Sequence, residues 1–281
     1  MRVLRANTAG FCMGVSLALK RLDKALEERQ KPIVTLGPII HNPQVLAEYE
    51  NKGVRRIKRA DEATRDECVI IRAHGIPRTE EALLMESGAQ LVDATCPRVK
   101  AAQLAIDRAT RQGECLLLFG EADHPEVRGL LSYAHAERYV FGSLDACKAL
   151  PLEPAGCYVL AAQTTQDIRQ FGALQAYLEQ RLDRSLPALH TICDATEKRQ
   201  NEALEIAARV DCMVVVGGRA SGNTRRLAEL ASSSGISALH VESEKELNAD
   251  FFREKFLAGL TAGASTPKSL IDAVEFFLET L

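Results

Sequence analysis

Several absences narrow the role of this sequence before any motif is considered. The 281-residue chain has no Cys-x-x-Cys pair, so a zinc ribbon, a thioredoxin-type motif and the bacterial ferredoxin run all lack their signature. It has no block of Lys or Arg, and 35 basic against 38 acidic residues leave a net charge of only −3, so no nucleic-acid footprint is present. No apolar run approaches the ~18 residues needed to span a bilayer. Met1 to Gly10 lacks a long apolar core, and the expected location is the cytoplasm, away from any membrane. No Walker-type Gly-x-x-x-x-Gly-Lys and no flavin or nicotinamide fingerprint is found.

What remains is an ordinary globular composition, 46% apolar and 26% charged, in a length that allows two or three domains. Short apolar runs predict buried strands at Val3–Ala6, Ile33–Leu36, Val69–Arg72, Leu91–Val92, Cys115–Phe119, Tyr158–Ala161, Cys212–Val216 and Leu257–Thr261. Amphipathic stretches between them predict helices at Val15–Arg29, Val99–Gln112, Ile168–Leu182, Thr196–Arg209, Thr224–Ser233 and Pro267–Leu281. This alternation, with strands unbroken by polar residues, predicts an α/β fold with parallel sheets.

In such folds ligands bind at the carboxyl ends of strands, where loops meet helix N-termini. Nine such junctions fall into three sets. One holds Cys12, Cys96 and Cys193; a second is 37–43, 120–126 and 217–223; a third is 73–75, 163–165 and 262–265. From each cysteine to the second set the separation is 29, 28 and 28 residues, counted to His41, His124 and Ser221. The near-period predicts three similar modules, residues 13–96, 97–193 and 194–281 together with 1–12. They are expected to form a pseudo-threefold trefoil with the nine loops around one central cavity.

Cys68, Cys115, Cys157 and Cys212 open apolar strands and Cys147 lies in a helical stretch, so all five are expected to be core residues. Cys12, Cys96 and Cys193 differ in standing at strand ends beside helix starts, where the thiolate is favoured. Three converging thiolates can hold a zinc ion or three irons of a [4Fe–4S] cube. The cube would leave one iron open, as a Lewis acid and one-electron donor. His41, His74 and His124 are three of only six histidines and all lie in these loops. With Ser221, Asn223, Thr164 and Ser265, and glycines that let backbone N–H groups approach closely, they suit an anionic substrate. Imidazolium would place positive charge on a diphosphate. Glu126 follows Pro125 at a helix start, where an acid simply complements the dipole. It is also placed to be a proton donor with a pKa raised by desolvation.

The motifs in combination closely resemble the 4-hydroxy-3-methylbut-2-enyl diphosphate reductase family. The matching stretches are Gly10-Phe11-Cys12-Met13-Gly14-Val15, Ile40-His41-Asn42, Ala73-His74-Gly75, Asp93-Ala94-Thr95-Cys96-Pro97 and His124-Pro125-Glu126-Val127. Gln163-Thr164-Thr165, Cys193 with Ala195-Thr196, Ser221-Gly222-Asn223 and Thr261-Ala262-Gly263-Ala264-Ser265 complete the set. The resemblance implies one [4Fe–4S] cluster per chain on Cys12, Cys96 and Cys193, with one iron lacking a protein ligand. It implies that His41, His74, His124, Ser221, Asn223 and Ser265 hold the diphosphate, and that the substrate hydroxyl lies near Thr164 and Glu126. Two electrons and protons would remove that hydroxyl as water through an allyl-like intermediate, giving isopentenyl or dimethylallyl diphosphate. Glu126 would supply protons, with Thr164 positioning the hydroxyl or a relay water. Gly222 stands where some members carry a serine, and Arg219-Ala220 replaces a common Lys-Asn pair; a glycine N–H can replace the lost hydroxyl contact. A quinolinate-synthase-like dehydratase would also use three modules and three cysteines, but leaves the histidine set unexplained. A zinc- or diphosphate-binding module whose thiols only staple the modules is the non-enzymatic alternative. Without a fingerprint for its own electron source, the chain is expected to use an external one-electron donor such as ferredoxin or flavodoxin.

Overall fold

The structure, a computed structural model, describes residues 1–28 and 30–281. The first strand and helix are β1 (Arg2–Arg5) and α1 (Met13–Glu28), followed by β2 (Ile33–Leu36), α2 (Pro43–Asn51), β3 (Arg55–Ile57), β4 (Cys68–Ile71), α3 (Arg78–Glu86) and β5 (Gln90–Asp93). The chain continues through α4 (Pro97–Ala109), β6 (Cys115–Phe119), α5 (Pro125–Leu131), β7 (Arg138–Phe141), α6 (Leu144–Lys148), β8 (Tyr158–Ala162) and α7 (Ile168–Leu182). It ends with α8 (Asp194–Ala207), β9 (Cys212–Val216), α9 (Gly222–Ser233), β10 (Ser237–Val241), β11 (Leu257–Ala262) and α10 (Lys268–Thr280). The expected end of the first helix, Arg29, lies outside the described residues.

Two compact units share the chain. One comprises Met1–Ser16, Ile40–Tyr49 and Asp194–Leu281, and holds a parallel sheet ordered β1-β11-β9-β10. The other comprises Leu17–Ile39 and Glu50–Cys193, and holds two parallel sheets, β3-β2-β4-β5 and β7-β6-β8. The fold class is therefore α/β with three parallel sheets. Inner strands β2, β4, β6 and β9 are buried along their whole length, as apolar runs covered on both faces must be. The three strands the sequence pattern does not reveal, β3, β7 and β10, are each the outermost strand of a sheet. An edge strand is half in water and carries polar residues, so its pattern is weak.

The three sheets repeat one hydrogen-bond scheme. After β2, β6 and β9, the N–H of Gly37, Gly120 or Gly217 donates to the last residue of the edge strand, Ile57, Phe141 or Val241, at 2.8, 2.9 and 2.9 Å. The β7-β6-β8 sheet has, in place of a fourth strand, a single parallel bridge from Leu160 to Ala188. The outer segment opposite the edge strand leads in every case to a cysteine: β5 to Cys96, the bridged segment to Cys193, and β1 to Cys12.

Cys68, Cys115, Cys147 and Cys212 are core residues as expected, and burial pushes the thiols of Cys115, Cys147 and Cys212 up to about 11. Cys157 is not. It is exposed, because it ends the polar turn before β8 and the buried run begins only at Tyr158.

Candidate functional site

Each of the three remaining cysteines is the residue immediately before a helix: Cys12 before α1, Cys96 before α4 and Cys193 before α8. All three are half-buried, and none forms a disulfide. Each is tied down by its own N–H, which donates to the loop after the neighbouring strand. Cys96 donates to the Ala73 carbonyl at 2.9 Å, Cys193 to Thr164 at 2.9 Å and Cys12 to Ala264 at 3.2 Å. The Cys12 sulfur also accepts from the Val15 N–H at 3.5 Å, in the first turn of the helix. The three thiols thus share one repeated local setting, at a helix start and tied to the loop after a neighbouring strand.

In the second unit the sequence-predicted residues form a connected series. His124 caps α5, and its Nδ1 accepts from the Glu126 N–H at 3.1 Å. The His74 ring packs edge-on against that of His124 with centroids 5.5 Å apart. Glu126 is 2% exposed and both of its oxygens accept from Thr164, Oε1 from the backbone N–H at 2.6 Å and Oε2 from the hydroxyl at 3.0 Å. Burial pushes the Glu126 carboxyl up to about 7, against the two Thr164 bonds that act to lower it. Desolvation exceeds the two hydrogen bonds together. The Thr164 carbonyl in turn anchors Cys193.

In the first unit His41, Ser221, Asn223 and Ser265 are likewise drawn together. Ser265 Oγ donates to the His41 carbonyl at 2.9 Å. Ser221 donates its N–H to Gly218 at 3.0 Å, while its Oγ caps α9 by accepting from the Thr224 N–H at 3.3 Å. Asn223 is buried with its Nδ2 unpaired within the protein, a donor in want of an acceptor. Gly222 opens α9, so its N–H belongs to the helix start that receives anions. Gly263 is required by packing, since a Cβ there would collide with Thr224 Oγ1.

Two further residues brace these loops. Arg199 of α8, 3% exposed, donates to the Gly10 carbonyl at 3.0 Å and to Ala262 at 3.1 Å, bracing the Cys12 loop. Gln163, fully buried, accepts from the Glu121 N–H at 3.1 Å and so holds the loop that carries His124. Gln163 stands in the 163–165 junction already singled out, whereas Arg199 is marked only as a basic residue on the buried face of α8.

The chain is 59% identical, over the full length of both, to a 4-hydroxy-3-methylbut-2-enyl diphosphate reductase of Nitratidesulfovibrio vulgaris strain Miyazaki F. It is 42% identical to the reductase of Geotalea uraniireducens over 98% of this chain and 95% of that one. A solved reductase described as the terminal enzyme of the non-mevalonate pathway aligns over both whole chains at 36% identity and TM-score 0.69. The E-1-hydroxy-2-methyl-but-2-enyl-4-diphosphate reductase of Plasmodium falciparum shares the fold at 23% identity and TM-score 0.93, covering all of this chain and 87% of that one. The LytB protein family profile matches residues 3–279, and the chain belongs to that family.

Proposed function

We propose that this chain reductively removes the hydroxyl of 4-hydroxy-3-methylbut-2-enyl diphosphate, giving isopentenyl and dimethylallyl diphosphate in the last step of the non-mevalonate isoprenoid pathway. Membership of the family implies an iron–sulfur cofactor. We assign it as one [4Fe–4S] cluster per chain held by Cys12, Cys96 and Cys193, with one iron free of protein ligands. When bound, such a cluster supplies electrons and an iron site open to the substrate oxygen.

The observation that carries the reading is the buried Glu126–Thr164 pair. The overall change consumes two electrons and two protons: the C–O bond breaks, a C–H bond forms and water leaves. A carboxyl pushed up to about 7 holds a proton at neutral pH and can release it to a leaving hydroxyl or an incoming carbon. The Thr164 hydroxyl, bonded to Glu126 Oε2, orients that proton and the alcohol it serves. His124, with His74, His41, Ser221, Asn223 and Ser265, takes the diphosphate oxygens. Electrons come from an external one-electron carrier of the ferredoxin or flavodoxin class. No helix among the described residues is long and apolar enough to cross a membrane.

Anaerobically purified protein, given a strong one-electron donor and hydroxymethylbutenyl diphosphate, is expected to form both five-carbon diphosphates. Unchanged substrate with a fully iron-loaded protein would overturn the reading.

A further inference from the structure

Arg72 directly follows β4 and opens the turn Arg72-Ala73-His74-Gly75. The turn is closed twice. The Gly75 N–H donates to the Arg72 carbonyl at 3.0 Å, and Arg72 Nε donates back to the Gly75 carbonyl at 3.2 Å. His74 is held between these two bonds. The outer end of the guanidinium packs on Gly37, whose φ of 72° and whose lack of a Cβ, which would collide with Arg72 Nη1, both suit glycine. One half-buried side chain thus braces the loop after β2 and the loop after β4. In the other sheets the comparable braces are neutral: Gln163 borders Gly120, and Thr224 fills the space between Gly217 and Gly263.

Of these three side chains, Arg72 alone brings charge. Among the described residues no carboxylate forms an ion pair with it; Glu80 favours its charge at longer range, while burial and Arg128 oppose it. A partly desolvated guanidinium without an acid partner is costly. Its planar fork of donors matches phosphate oxygens.

We propose that Arg72 is a positioning residue of the diphosphate site, holding the His74 turn closed and placing a permanent positive charge beside it. This rests on the diphosphate-binding reading above. The test compares iron-loaded wild type, Arg72→Lys and Arg72→Met by titration calorimetry with inorganic diphosphate, by steady-state kinetics and by melting temperature.

The expected result for Arg72→Met is a Kd for diphosphate and a KM each raised tenfold or more, with kcat within about threefold. Binding lost at the diphosphate, remote from the reacting carbon, is lost equally from ground and transition states. Arg72→Lys, which keeps the charge without the fork, should recover part of the affinity. A methionine variant within twofold of wild type in Kd overturns the proposal. So does an equal loss of kcat and melting temperature in both variants, which would mark a purely structural brace. If Arg72→Met does not fold, Arg72→Gln takes its place under the same criteria. If wild type binds inorganic diphosphate but forms no product, the reductase reading fails while the Kd ratio still decides on Arg72.

Discussion

Replacing Glu126 with Gln should stop turnover while leaving the iron in place. Burial holds this carboxyl at about 7, whereas an exposed glutamate titrates near ~4.3. At pH 7 about half of the molecules therefore carry the proton, against well under ~1% for an exposed group, roughly a hundredfold gain in available acid. The substitution is well tolerated by the geometry. A glutamine can turn its carbonyl to the Thr164 N–H and its amide to the Thr164 hydroxyl, which is able to accept. The assay is anaerobic turnover from pH 5.5 to 9 with a chemical reductant, alongside iron content. Wild-type kcat should be level at low pH, half-maximal near 7 and fall tenfold per unit above 8, because the protonated form is the active one. Glu126→Gln should lose ~10²–10⁴ in kcat, the usual contribution of a positioned acid, and lose that limb as well. A variant with wild-type turnover and an unchanged pH profile refutes the reasoning.

The same carboxyl couples stability to pH. Its folded pKa lies above the unfolded one, so stability should fall by about 3 kcal/mol as pH rises from ~4.3 through 7, and Glu126→Gln should remove that slope in denaturant melts. Serine at Cys12, Cys96 or Cys193 should each abolish the four-iron content measured on anaerobic protein, whereas Cys157→Ser, at an exposed turn, should leave it unchanged. Gly263→Ala should lower the melting temperature and Thr224→Ala should restore much of it in the double variant, since the new Cβ meets Thr224 Oγ1; an unaffected single variant would contradict that packing.

The inner strands and long helices were legible because their patterns are strong: Ile33–Leu36, Cys115–Phe119, Cys212–Val216 and helix Ile168–Leu182 coincide with the observed bounds. Short helices α2, α3 and α5 left no comparable trace, because seven to nine residues offer too few turns for periodicity to stand out. Their starts were nonetheless marked by Asn42-Pro43, Pro77-Arg78 and His124-Pro125. The candidate site residues stood out because they repeat at matched junctions. Arg72 and Arg199 did not, since Arg72 merely ends the predicted strand Val69–Arg72 and Arg199 falls inside the predicted helix Thr196–Arg209. What turns them inward is bonding to backbone carbonyls that only the folded loops present. Cys157 was misjudged for the converse reason: next to Tyr158 it looks like a strand opening, but the turn Glu153–Gly156 leaves it in solvent.

The most direct test of the central claim is Mössbauer spectroscopy of the anaerobic, iron-enriched protein with and without hydroxymethylbutenyl diphosphate. The account predicts about four irons per chain, with one site alone shifting its signal when substrate is added. A spectrum that does not respond to substrate, or a preparation that turns over with zinc in place of iron, would contradict it.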